Sequence, residues 1–328
     1  MPDRIYLGVD VGGTKVAAGL VDSRGQILYK TRVPMKGSGT ADEGFACIRH
    51  AIDAVLAANP NVSVAAIGVA SPGPLDPRTG VILFTPNIPC WRDYHLRDAI
   101  VGAYNLPTRV DNDANAAGLA EALFGSGRGY SSVFYGCIGT GIGTAIVLDG
   151  KLYYGRTGLA AEGGHQTIDY NAPCACECGK RGCIESMASG TGIGRRARAA
   201  VAHNPAAGAK LLDLVAGDPD KINGRIVTAA WQAGDELATG ILTETARLLT
   251  IWLGNIVDLL EPDAIVIGGG MGEVFSNFFP QILRDLPSWS LNTRCAETPL
   301  LLAQYGEDSG IAGAGALCLS EPAAAAAK

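Results

Sequence analysis

Two stretches of this chain repeat one plan. IYLGVDVGGTKVAAGLVDSRGQILYKTRV (5–33) and SSVFYGCIGTGIGTAIVLDGKLYYG (131–155) each set a small-residue loop between two apolar runs of strand length. Each then turns, at Asp22-Ser23-Arg24-Gly25 or at Asp149-Gly150, into a further strand. A unit built twice suggests two related halves facing one cleft.

The intervening sequence fits that frame. VSVAAIGVA (62–70) reads as a strand leading into the turn SPGPLDP, and LPTRVDNDANAAGLAEALFG (106–125) as a short strand followed by an amphipathic helix. From Val227 to Leu260, apolar residues including Trp231, Ile241, Leu248, Trp252 and Ile256 recur at spacings near three or four, which predicts long helices. DAIVIGGGM (263–271) reads as a buried strand ending in glycines, GIAGAGALCL (310–319) as a small-residue helix, and EPAAAAAK as a low-complexity tail. Strands alternating with helices predict an α/β protein. The expected boundary falls just after DND, with the last helix returning to the first domain: 1–114 plus 305–328 as a small α/β domain, and 115–304 as a large α/β domain carrying the cysteine cluster.

Composition narrows the chemistry. With 48% hydrophobic and 18% charged residues in 328, the chain is globular and long enough for two domains. No apolar run approaches the roughly 20 residues that span a bilayer, and the start lacks a basic-then-apolar leader; a cytoplasmic protein without a membrane partner is expected. A net charge of −6 argues against a nucleic-acid partner. Anionic substrates must then be held by glycine loops, helix ends or a metal. Nine cysteines, an odd number without a secretory signal, point to thiols and metal ligation more than to disulfides.

In DVGGTK (10–15), glycines let backbone N–H groups approach an anion, Thr14 and Lys15 add a hydroxyl and a positive charge, and Asp10 can hold magnesium through water. Alone, the loop reads equally as a plain tight hairpin. GTGIGT (139–144) is its counterpart, and Gly268-Gly269-Gly270 can admit an adenosine close to the backbone. No Walker-type phosphate loop occurs. In DND (111–113), a carboxylate between strand and helix can take a proton from a hydroxyl attacking phosphorus; an isolated triplet of this kind reads better as a helix cap. Glu162 and His165 suit gripping several sugar hydroxyls. Cys176, Cys178 and Cys183 with His165 make a Cys3His set for a closed, structural zinc site that would tie the His165 loop to the loop carrying Glu185. Four reduced surface thiols are the alternative. Cys174 is read as a non-ligand.

These motifs together resemble the ROK family (repressors, open reading frames, kinases) of bacterial sugar kinases, over essentially the full length. DVGGTK is similar to the family's first phosphate motif, VASPGPLD to its PG loop, DNDANAAGLAE to the segment with its catalytic aspartate, and CECGKRGCIESMASG to its cysteine signature. The resemblance implies a two-domain actin-like, ribonuclease-H-like ATPase fold with the active site in the interdomain cleft, ATP with Mg2+ as phosphoryl donor, and structural Zn2+ on His165, Cys176, Cys178 and Cys183. It makes Asp113 the base for the sugar's 6-hydroxyl. Asn112, Glu162, His165 and Glu185 become sugar-binding, with Gly73 lining the pocket and Asn87 and Trp91 closing over the sugar. Asp10, Gly12, Gly13, Thr14, Lys15, Thr140 and Gly141 would serve the magnesium and phosphates, and Gly269 and Gly270 the adenosine. Members commonly carry a bulky apolar residue between this Glu and the following Gly-His; here Gly163 stands instead, which leads us to expect looser packing.

The implied activity is ATP-dependent phosphorylation of a hexose at O6, glucose first, by a homodimer. N-acetylmannosamine, N-acetylglucosamine, fructose and allose kinases share every motif above. A sugar-sensing regulator of this family needs an N-terminal DNA-binding module, and nine residues precede Asp10.

Overall fold

The computed structural model of the protein describes residues 4–85, 87–172 and 175–319. Its strands are β1 (Ile5–Val11), β2 (Lys15–Asp22), β3 (Ile27–Pro34), β4 (Val64–Ser71), β5 (Leu75–Asp76), β6 (Val81–Phe84), β7 (Arg92–His95), β8 (Thr108–Asn112), β9 (Ser132–Ile138), β10 (Ile142–Leu148), β11 (Lys151–Leu152), β12 (Ala264–Gly268) and β13 (Leu300–Leu302). They form a five-stranded sheet ordered β3-β2-β1-β4-β8, a second ordered β11-β10-β9-β12-β13, and a small sheet β5-β6-β7. Counted from its own first strand, each large sheet has the same third-second-first-fourth-fifth order. In the first, β1, β2 and β3 pair antiparallel while β4 and β8 add in parallel. In the second, β10 and β11 pair antiparallel and β12 and β13 parallel. The duplicated plan of the sequence is thus a duplicated topology.

The chain divides into two compact units, one made of Met1–Val133, Ala145–Ala161 and Gln304–Lys328, the other of Phe134–Thr144 and Glu162–Ala303. In the first, Leu7, Val9, Val16, Ile67 and Val69 meet Ile48, Ile52 and Val55 of the helix Ala41–Ala58 in one apolar cluster. Each such side chain contributes about 1.5–3 kcal/mol by leaving water. That helix starts in a capping box: Glu43 N–H donates to Thr40 Oγ1 and Thr40 N–H to the Glu43 carboxylate.

The helix Asp113–Leu123 departs from its sequence reading. Every residue from Ala114 to Ala122 is buried, so it is a core helix and not an amphipathic one. Its alanines and Gly118 leave a surface small enough for the helix Ser309–Leu317 to press against it: a Cβ on Gly313 would run into the Ala116 carbonyl. The helical pattern from Val227 onward becomes Gly224–Gln232 and Glu236–Leu260, separated at Gly234, with Asp235 accepting from Ala238 N–H at the second start.

Candidate active site

In the first unit, the register Val11↔Val16 closes β1 and β2 over a tight hairpin in which Gly12 N–H donates to the Lys15 carbonyl at 2.9 Å. Thr14 and Lys15 are exposed at its tip. Asp10, one residue before the end of β1, lies against Gly310 at the start of the Ser309–Leu317 helix. Burial and the nearby Asp113 charge push its carboxyl up to about 6, with Lys15 and Arg32 pulling the other way. At the end of β8, Asn112 caps the next helix by accepting from Ala114 and Asn115 N–H, so the cap reading of DND is realised by its middle residue. Asp113 is then the first helical residue, exposed, with its Oδ1 accepting from Ala114 N–H at 2.8 Å. The helix N-terminus favours its charged form. Gly73 adjoins Asn112, a Cβ there lying 3.4 Å from Asn112 Nδ2, and Asn87 backs the Gly13 loop. Trp91 does not close over a pocket. It is fully buried, stacked on Tyr94 at 5.3 Å, with its indole N–H donating to the Ala41 carbonyl.

In the second unit, the helix Gly190–His203 grips the other glycine loop: Gly190 N–H donates to the Gly139 carbonyl at 2.8 Å and Thr191 N–H to the Thr140 carbonyl at 3.3 Å. Beside it opens a cavity of about 560 Å³, lined among others by Gly139, Thr140, Thr191, Thr228, Gln232 and Gly270. Thr140 and Gly270 thus share a cavity. Gly141 instead sits under the Glu185 carboxylate, which accepts from Ile142 N–H at 2.8 Å, and Gly269 packs on the Ile138 carbonyl with φ +81°. The protein around Glu162 and the Glu185 charge push the Glu162 carboxyl up, while His165 opposes.

His165, Cys176, Cys178 and Cys183 converge, one ligand atom from each lying within 4.8 Å of all the others. His165 Nδ1 is 3.5 Å from Cys176 Sγ, and Cys178 Sγ is 3.7 Å from Cys183 Sγ. A tetrahedral zinc with Zn–S of about 2.3 Å and Zn–N of about 2.0 Å sets such edges at about 3.5–3.8 Å. The 3.7 Å sulfur pair is far from the about 2.05 Å of a disulfide. The donor set therefore fits the ion, through Nδ1 of His165. Cys174 lies outside the described residues.

Gly163 is not loosely packed. Its N–H donates to Thr144 Oγ1 at 2.8 Å and its carbonyl accepts from Trp252 Nε1 at 3.0 Å. A Cβ would stand 3.0 Å from Thr144 Oγ1, so Thr144 occupies the space a larger residue would need.

The model of the ROK family matches residues 6–321. The chain belongs to the ROK family. It is 31% identical to a glucokinase of Thermotoga maritima across 97% of this chain and 98% of that one. It is 30% identical to an N-acetyl-D-glucosamine kinase of Citrobacter koseri, across 97% and 100%. Among solved structures, a ROK family glucokinase from Streptomyces griseus in complex with glucose and AMPPNP superposes with a TM-score of 0.80 at 34% identity, covering 95% of this chain and 98% of that one. The fold of this ROK protein is the two-domain actin-like ATPase fold.

Sequence reasoning missed part of the ROK protein's cavity wall, which Asn223, Arg225, Thr228 and Met271 help build. Asn223, which caps the helix Gly224–Gln232, was the available signal. It also missed Tyr154, whose hydroxyl meets Asp111 at 2.6 Å; nothing in the local pattern around Tyr154 announces that partner. Among the described residues no helix is long and apolar enough to cross a membrane.

Proposed function

We propose that this ROK protein is an ATP-dependent hexose kinase, transferring the γ-phosphate of MgATP to the 6-hydroxyl of glucose. The observation that carries this reading is the exposed Asp113 carboxylate at a helix start, with Asn112 and Gly73 next to it, in a chain that matches glucokinases end to end. Asp113 accepts the proton of the attacking hydroxyl. Glu162, His165 and Glu185 hold the remaining hydroxyls, His165 through Nε2. Gly12, Gly13, Thr14 and Lys15 receive phosphate oxygens with Thr140 and Gly141, and the 560 Å³ cavity beside Gly270 is of the size that takes a nucleoside. Asp10 would hold Mg2+, which supplies charge neutralisation on the phosphates. His165, Cys176, Cys178 and Cys183 would hold Zn2+, which supplies rigidity to the sugar loop.

The match to N-acetylglucosamine kinases supports a second reading, with an acetamido sugar as acceptor. A coupled ATP-consumption assay across glucose, mannose, fructose, allose, N-acetylglucosamine and N-acetylmannosamine separates the two. Glucose is expected to give the highest kcat/KM with glucose 6-phosphate as product. A higher value for N-acetylglucosamine selects the second reading, and sugar binding without turnover on any of the six removes both.

A further inference from the structure

We propose that the Tyr154–Asp111 hydrogen bond is a positioning device for the base Asp113, an inference that rests on the kinase reading above. Asp111 is 2% exposed. A carboxylate there is tolerated only when its oxygens are hydrogen-bonded, and three donors meet it: Tyr154 Oη at 2.6 Å on Oδ2, Asn112 N–H at 2.7 Å and Asn115 Nδ2 at 3.0 Å on Oδ1. Two of these come from the strand-to-helix junction itself, from the residue just before the base and from the helix's third residue. Asp111 is therefore the peg on which that junction hangs. Tyr154 sets how the peg stands, because a short bond to a charged acceptor is strong and directional.

The phenol is itself fixed. Tyr154 follows the β10–β11 hairpin, in which Tyr153 N–H donates to the Ile146 carbonyl at 2.9 Å, and the Tyr154 carbonyl accepts from Ala160 N–H at 3.2 Å. The loop it opens belongs to the first unit and is tied down within it, Arg78 Nη2 donating to the Thr157 carbonyl at 3.4 Å and Gly158 resting against Pro77. This loop leads along the chain to Glu162, so the segment that delivers a sugar-binding carboxylate also holds the support of the catalytic one. Misplacement of a reacting group by about 1 Å costs about 100-fold in rate. Losing one of three donors shifts Asp113 by less.

The test is steady-state kinetics of Tyr154→Phe, which deletes only the hydroxyl, with thermal unfolding of the same preparation. The expected result is kcat lowered about 10-fold, with KM for hexose and for ATP within about two-fold of the wild type and the protein folded at the assay temperature. An unchanged kcat overturns the proposal, and so does a loss confined to KM or to Tm, which marks a merely structural bond. If Tyr154→Phe does not fold, Asn115→Ala, which removes another donor from the same carboxylate, is read in the same way; wild-type kcat in that variant overturns the peg. Wild-type protein that phosphorylates no hexose defeats the kinase reading, whereas an active wild type with an indifferent Tyr154→Phe defeats this proposal alone.

Discussion

At the scale of single residues, two carboxylates of the first unit behave differently. Asp113 is exposed at a helix start, and on the kinase reading it is the base. We expect Asp113→Asn to lower kcat by about 10²–10⁴-fold while calorimetry finds hexose affinity kept within about two-fold; activity near wild type would remove it as the base. Asp10 carries a carboxyl pushed up to about 6, by burial first and by Asp113 second. Its folded-state pKa lies above the unfolded one, so the folded state binds the extra proton. Asp10's contribution to the unfolding free energy of the ligand-free protein should therefore fall as pH rises from about 4 to about 6, by on the order of 3 kcal/mol at about 1.4 kcal/mol per pH unit. Urea titrations of wild type and Asp10→Asn across that range check this, the difference between the two being expected to shrink as pH rises. Cys178 is the exposed member of the thiol cluster. If His165, Cys176, Cys178 and Cys183 hold zinc, elemental analysis should find the metal in the wild type and lose it in Cys178→Ser, with KM for hexose raised about ten-fold; a normal KM in metal-free protein would show that the ion does not support the sugar loop.

At the scale of elements, backbone proximity does what large side chains do elsewhere. The helix Ser309–Leu317 lies so close to the first sheet that a Cβ on Gly68 of β4 would run into the Ala314 carbonyl. Backbone cannot yield as a flexible side chain can. Gly68→Ala should therefore destabilise the protein by about 1–3 kcal/mol or more, read as a lower urea midpoint with an unchanged slope. The same closeness explains why the Asp113–Leu123 helix is buried all round, although its sequence reads as amphipathic.

At the scale of the whole molecule, the repeated sheet order gives each unit one glycine loop, and the 560 Å³ cavity is lined by residues of the second. A Cβ at Gly270 meets nothing within 4 Å, so a larger residue there fits the fold and fills the cavity. Gly270→Val should raise KM for ATP about ten-fold or more with Tm and hexose affinity kept; an unchanged KM for ATP would move the nucleotide elsewhere. By itself the sequence determined the α/β class, the repeated strand–loop–strand unit, both glycine loops and the candidate set His165, Cys176, Cys178 and Cys183, because each is written in short spacings: alternation along a strand, glycines at a turn, donors close along the chain. Only the tertiary structure decided the rest. It buried Trp91 in the core, filled the space at Gly163 with Thr144, and set Tyr154 on Asp111. It also placed the fully buried Glu121 where its carboxylate accepts from the amides of Ser126, Gln304 and Tyr305. The reason is physical: a local pattern specifies what a segment can form, while the partner of a buried polar group is chosen by which distant segments the fold brings within hydrogen-bond reach.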